Sequence, residues 1–444
     1  MQASPAPSQP IPFSAKARRT GEQPISSLMS AVLANPDLVS FAAGFVDPLT
    51  LPTDAVSEIT RRLLDRSMRA RAALQYDTTQ GLAELRRALA AHLSTLEEHA
   101  GASLHLNPDD IVITNGSQQG LYLAAEVLCD PGDIVLVEAP SYFVYTSALQ
   151  SFGVRCAGVA MDEHGLRVDA LEAALRRLEA EGLLARVRAV YTVSYFQNPT
   201  GLTLSLDRRR ALLEVVERYS RSHRILILED AAYRELYYER HRPPPPSLRS
   251  LDQAGQQVAY FGTFSKSFAP GLKTGYAVMP SELRQAVLDA KGNHDFGSGS
   301  FAQHVLLEAL RDGFYARHLE RLRSGYRAKC QAMLSALREH MPAGVRWTTP
   351  GGGLYIWLTL PRGVDCSRGS ALFDAARRVG VLYVPGNYCF ADESVEPPLN
   401  QMRLCFATVE TERLDTGVRR LADAIRETTS VGSASLSSVV GGAS

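Results

Sequence analysis

Apolar residues fall along this chain in two alternating rhythms. Short, nearly unbroken runs at 111–114, 133–137, 187–193, 225–228, 257–261 and 275–279 have the length of buried strands. Elsewhere the apolar residues recur three and four apart, as Leu82, Leu85, Leu89, Leu93 and Leu96 do; 121–128 and 207–220 also read as helices. Strand and helix in alternation from 111 to 279 predict an α/β fold with a mostly parallel sheet covered by helices. A long helical segment begins near Phe314, and 381–385 and 401–407 read as further strands. Upstream, 25–33 is a short apolar segment of helical character. The two ends lack either rhythm. Residues 1 to about 20 are rich in Pro, Ser and Gln, and those past about 428 are mainly Ser, Gly, Ala and Val, so flexible tails are expected at 1–22 and 428–444.

Composition narrows the class. A chain of 444 residues is long enough for two or three domains. With 47 Lys+Arg against 47 Asp+Glu the net charge is zero, which argues against bulk attraction to nucleic acid or an anionic membrane. No apolar run reaches membrane-spanning length, and 1–12 lacks the charged-then-apolar pattern of a secretion signal. Six scattered cysteines without a C-x-x-C make a disulfide framework or a zinc site unexpected and a reducing cytosol the default.

The chemistry stands where the runs stop, which is where an open α/β sheet places its ligands. The run 257–261 enters a turn holding Lys266 between Ser265 and Ser267, with Lys273 shortly after. A lysine in a partly desolvated pocket has a lowered pKa and can attack a carbonyl to form a Schiff base. Flanking hydroxyls and a second cation suit a phosphate. After 111–114, the turn Asn115, Gly116, Ser117, Gln118 opens a helix whose unpaired N–H groups attract an anion. Asp230 ends the most apolar run, a costly position for an acid without a partner. Arg403 lies in 401–407, and its planar guanidinium suits a carboxylate. Gly44, in a small-residue turn, lets backbone approach a ligand closely. Taken singly, each has an ordinary reading: solvated lysines, a connecting turn, packing tyrosines at Tyr76 and Tyr142, an edge-strand ion pair at Arg403.

Taken together they resemble one family. The pattern Ser265-Lys266-x-x-x-Pro270-Gly271-x-Lys273-x-Gly275 resembles the cofactor-lysine motif of fold type I, class I/II aminotransferases, which use pyridoxal 5′-phosphate (PLP). The partner motifs follow in that family's order over roughly 23–426: Gly116-Ser117-Gln118, the aromatic Tyr142, Asn198-Pro199-Thr200-Gly201, Asp230-x-x-Tyr233, Ser265-Lys266 and Arg403. Within it, the chain resembles kynurenine/2-aminoadipate aminotransferases and the aminotransferase-like part of MocR-type regulators. The resemblance implies a PLP-dependent transferase fold. Its domains would be an arm with part of the small domain at 23–64, a large PLP-binding domain at 65–312 and a small α+β domain at 313–427, with 350–358 as the first strand of the latter.

It also implies roles. Lys266 would hold PLP as a Schiff base and, once freed, take the substrate's α-proton. Gly116, Ser117, Gln118, Ser265 and Lys273 would bind phosphate. Tyr142 would stack on the ring, Asp230 would pair with the ring nitrogen, and Asn198 and Tyr233 would bind the 3′-oxygen. Arg403, with Gly44 and Asn198, would bind the substrate carboxylate end. Tyr76 would reach the neighbouring subunit's cofactor phosphate across a homodimer with shared active sites. The family usually carries Arg where this chain has Lys273, which keeps the charge but loses the bidentate grip.

The expected activity is transfer of an amino group from an L-amino acid to a 2-oxo acid, with neither nucleic acid nor membrane as partner. Alternatives are elimination, replacement or a cyclising C–C or C–N bond-forming reaction on the same cofactor, and, more remotely, a PLP-sensing regulator, for which few residues precede the arm. Relatives that accept 2-aminoadipate place an Arg on the short arm helix, whereas 24–32 here holds no cation. An apolar or aromatic donor, such as an arylglycine, is therefore expected, with Tyr142, Tyr195 and Phe45 offering aromatic surface and Arg18 and Arg19 as the nearest upstream cations.

Overall fold

A computed structural model describes the backbone of residues 11–21, 35, 37–65, 68–239 and 241–440, and the side chains of all these except Arg69 and 430–440. The helix expected at 25–33 lies outside the described residues.

The strands, in chain order, are β1 (Val39–Ser40), β2 (Ile111–Asn115), β3 (Ile134–Ala139), β4 (Arg155–Asp162), β5 (Gly165–Leu166), β6 (Val187–Val193), β7 (Leu226–Asp230), β8 (Val258–Thr263), β9 (Thr274–Val278), β10 (Arg346–Trp347), β11 (Tyr355–Thr359), β12 (Val381–Leu382), β13 (Val384–Pro385) and β14 (Gln401–Cys405). Eight form one sheet in the order β2-β9-β8-β7-β6-β3-β4-β5. Its centre, from β8 through β4, is parallel; β9 runs against both β8 and β2.

Side chains alternate across this sheet and feed two apolar layers. Val135, Val137, Tyr191 and Val193 face one, with Leu121 and Leu123 of the helix Gly116–Leu128. Ile134, Leu136, Val190 and Ile227 face the other, under the helices Val168–Ala180 and Leu206–Tyr219. Burial on both faces is why these strands read as continuous apolar runs.

A second, antiparallel sheet runs β10-β11-β14-β13. The helix Phe314–His340 links the two regions and packs along the helix Thr411–Val440. β1 pairs with β12, Val39 beside Val381, so the segment before the large sheet joins the C-terminal part.

The described parts of the two expected tails, 11–21 and 428–440, contain helix, while 1–10, 22 and 441–444 lie outside the described residues. Ser14 caps a short helix, Ala15–Arg19, whose Lys16 reaches the Tyr122 hydroxyl at 2.5 Å and lies 3.9 Å from the centre of the Phe152 ring. Arg19 donates to the Ser151 carbonyl at 3.2 Å. At the other end the helix begun at Thr411 continues through 428 to Val440. Extending a formed helix adds a hydrogen bond per residue without a new nucleation step, so weak formers follow it. Among the described residues no helix is long and apolar enough to cross a membrane.

Candidate active site

The parallel strands β3, β6, β7 and β8 end at one edge of the large sheet, and β2, two reversals away, ends there too. Gly116 follows β2, Tyr142 follows β3, Asn198 follows β6, Asp230 closes β7 and Lys266 follows β8. The topology alone therefore collects five of the expected residues.

Lys266 Nζ donates to the Gly44 carbonyl at 2.8 Å. Burial lowers its pKa to about 8, with the nearby charges of Arg403 and Lys273 pushing the same way. Gly44 has no room for a side chain, because a Cβ there would stand 2.7 Å from the Tyr355 hydroxyl. Asp230 is 4 % exposed, and burial raises its pKa to about 6 although Tyr191 Oη (3.0 Å) and the Ala232 N–H (3.1 Å) donate to it. No cation pairs with it among the described residues.

Arg403 presents the opposite imbalance. It is 2 % exposed, donates to Asn198 Oδ1 at 2.9 Å and to the Ala42 carbonyl at 2.7 Å, and leaves Nε without a partner. Its guanidinium lies 4.7 Å from the centre of the Tyr355 ring, and it has no carboxylate partner among the described residues. Other buried charges here are matched: Arg209 with Glu229 at 2.9 Å, Arg234 with Glu97 at 2.6 Å, Lys329 with Asp47 at 2.6 Å. A buried acid and a buried guanidinium with separate surroundings call for a cationic and an anionic group from outside the chain.

The helix Gly116–Leu128 offers an anion site. Its cap residue Asn115 gives no side-chain bond to the first-turn amides; its amide group instead donates to Asp295 at 2.9 Å. The N–H groups of Gly116, Ser117 and Gln118 stand in that first turn. Gly275 packs against them so closely that a Cβ there would lie 2.5 Å from the Gly116 carbonyl carbon. Thr263 Oγ1 donates to Ser265 Oγ at 2.9 Å beside Gly116, and exposed Lys273, in the left-handed region at φ 51°, ends the turn Pro270–Leu272. Tyr233 and Tyr355 share a hydrogen bond at 3.1 Å. Tyr142 caps the next helix, Phe143–Ser151, half-buried, with burial raising its pKa.

Tyr76 is not gathered in. It is 82 % exposed, with its ring edge-on to Phe296 at 5.6 Å. Tyr195 is a correction: it is fully buried away from the site, its hydroxyl on the Pro245 carbonyl (3.1 Å) and its ring 4.2 Å from the Arg209 guanidinium carbon. Arg19 is committed to Ser151, at the far end of the helix from Tyr142. Sequence reasoning does not find Tyr191, Tyr355 or Glu138. Glu138 is buried beneath the site, accepts from Thr192, Val193 and Gln197, and is pushed up to about 7 by that burial. A lone Tyr inside an apolar strand is the available signal for Tyr191.

The chemistry of this donor set fits PLP: an amine of lowered pKa for the aldehyde, open helix amides for the phosphate, and a buried acid for the ring nitrogen. Comparison with known proteins agrees. Residues 36–421 match the family described as "Aminotransferase class I and II". The aromatic-amino-acid aminotransferase 1 of Thermococcus litoralis is 37 % identical over 94 % of this chain and 94 % of its own. The 2-aminoadipate transaminase of Thermus thermophilus is 37 % identical over 88 % of this chain and 91 % of its own. The kynurenine aminotransferase of Pyrococcus horikoshii, solved with PMP, superposes with a TM-score of 0.84 at 36 % identity, over 94 % of this chain and 97 % of that one.

Proposed function

The chain belongs to the class I and II aminotransferases, a PLP-dependent enzyme that transaminates amino acids with 2-oxo acids, and from that premise we propose how its residues divide the work. The carrying observation is the pair of unmatched buried charges, Asp230 and Arg403, on either side of a lysine of lowered pKa. Lys266 would hold the cofactor covalently. Gly116, Ser117, Gln118, Ser265 and Lys273 would hold its phosphate, Tyr142 its ring face, Asp230 its ring nitrogen, and Asn198 and Tyr233 its 3′-oxygen. Bound there, PLP supplies a sink for the electrons of the donor's Cα–H bond.

The protein's part is binding and proton transfer. Arg403 takes the donor's α-carboxylate, supported by Asn198 and by the tight turn at Gly44, and so aims the Cα–H bond. Lys266 Nζ takes that proton as general base and returns it. An ordinary lysine would be about 0.3 % neutral at pH 8, whereas an amine whose pKa is about 8 is half neutral there.

The donor we propose has an apolar or aromatic side chain. A cleft of about 550 Å³ flanks Gly44, walled by Leu38, Val39, Val46, Leu51 and Phe45, the last 53 % exposed. The one cation on that wall among the described residues, Arg413, donates to the Asp37 carbonyl at 2.8 Å and shares the wall with an acid, Glu410, and 24–32 contains no cation. Two of the three relatives above are named for aromatic donors. A buried side-chain carboxylate without a partner costs several kcal/mol, so phenylalanine or an arylglycine should exceed 2-aminoadipate in kcat/KM by roughly tenfold or more. A donor and oxo-acid screen measures this, and preference for 2-aminoadipate or glutamate overturns it.

We also propose a cytosolic homodimer with shared sites, free of nucleic acid. All six cysteines are free thiols and the net charge is zero. Met68, Leu74, Tyr76 and Phe296 are large apolar residues left exposed, and such surfaces mark contacts. Mixing Lys266→Ala protein with Tyr76→Phe protein, each impaired alone, should restore activity through hybrid dimers. Sedimentation showing an active monomer would contradict this.

A further inference from the structure

We infer that Tyr315 and Glu235 are positioning residues for the loop that carries Lys266, acting through the hydroxyl of Ser267. The inference rests on Lys266 being the reactive lysine. Tyr315 Oη lies 2.8 Å from Ser267 Oγ and 2.8 Å from Glu235 Oε1. All three side chains are buried. Burial works to raise the Glu235 carboxyl's pKa, yet His92, Tyr315 and Arg323 hold it below the ordinary carboxylate range. An ionised carboxylate only accepts, and a phenol has one proton to give. Tyr315 therefore donates to Glu235, and its oxygen accepts from Ser267. The order is fixed end to end: Ser267 to Tyr315, Tyr315 to Glu235, with His92 Nε2 on the second carboxylate oxygen at 3.0 Å.

The ring of Tyr315 grips the same loop from both sides. It meets Phe264 edge-on at 5.3 Å and Phe268 at 6.1 Å, the residues two before and two after Lys266. Phe264, Ser267 and Phe268 thus all bear on one side chain, in the first turn of the helix Phe314–His340. Neither Tyr315 nor Glu235 is part of the proposed cofactor or substrate contacts. Their effect on the reaction passes through the loop, whose position sets how deeply the Lys266 amine is buried.

A double-mutant cycle tests this with Tyr315→Phe, Ser267→Ala and the pair. Each single change should lower kcat on the order of tenfold, the size of one lost hydrogen bond, at unchanged KM, and the double should be no worse than the larger single. In the apoprotein, competitive acetylation of Lys266 read by mass spectrometry should give a titration midpoint raised from about 8 in both variants, because a loosened loop hydrates the amine. This readout does not depend on turnover, so it separates failure of the inference from failure of the catalytic assignment. Ser267→Thr keeps the hydroxyl and should retain the wild-type midpoint and kcat, which decides the matter if Tyr315→Phe does not fold. Multiplying effects in the double variant, an unshifted midpoint, or equal behaviour of Ser267→Thr and Ser267→Ala would overturn the inference.

Discussion

Replacing Lys266 with alanine lowers the amino-transfer rate by at least about four orders of magnitude, the upper range for loss of a positioned general base. In the proposed assignment the change would remove the covalent tether and the proton acceptor together. It should also abolish the absorbance that marks the cofactor bound to a lysine, while bound cofactor remains through the helix amides and Asp230. Capture of added PLP by the wild-type apoprotein should speed up as pH rises through about 8, because the neutral amine is the nucleophile. Turnover by Lys266→Ala without any added amine would refute the assignment.

Arg403→Ala should cost about 2–5 kcal/mol of transition-state binding, roughly 30- to 5,000-fold in kcat/KM. The range is that for truncating one side of a buried, hydrogen-bonded charge pair, and in the proposed role the other side would be the donor's carboxylate. Stability should change much less. The guanidinium is buried with Nε unpartnered and no acid beside it, so its removal relieves an uncompensated charge while it strands the Ala42 carbonyl and Asn198 Oδ1. The discriminating comparison is an amine of the same side chain without the carboxylate. Wild type should prefer the amino acid strongly, and the variant should lose most of that preference. Equal losses on both substrates would give Arg403 a structural role only.

The strand ends were legible because burial on both faces makes a strand an apolar run, and the polar residue that stops it stands out. Lys266, Asp230 and Asn198 stand in such places. What pairing across the fold decides was not legible. Tyr191 reaches Asp230 because β6 lies beside β7 with Val193 opposite Asp230, and Tyr355 reaches Tyr233 from the second sheet. Tyr195 sits in the turn after β6 much as Asn198 does, but the turn sends its ring down onto Arg209 and Arg234. The tail helix Ala15–Arg19 is held by Tyr122, Phe152 and Ser151, partners more than a hundred residues away that no local pattern announces.

The pairing of β1 with β12 sets a delay during synthesis. Val39 and Phe41 are buried, and the main chain of this segment bonds to Gly380 and Leu382. A ribosome making about 5–20 residues per second reaches that partner strand only after roughly 17–70 s. The large sheet, complete by Val278, can form well within that time. From Val278 to Val381 is about 100 residues, so at that rate the newborn chain spends roughly 5–20 s with this sheet complete and an apolar N-terminal strand still waiting, the interval in which a chaperone has something to hold.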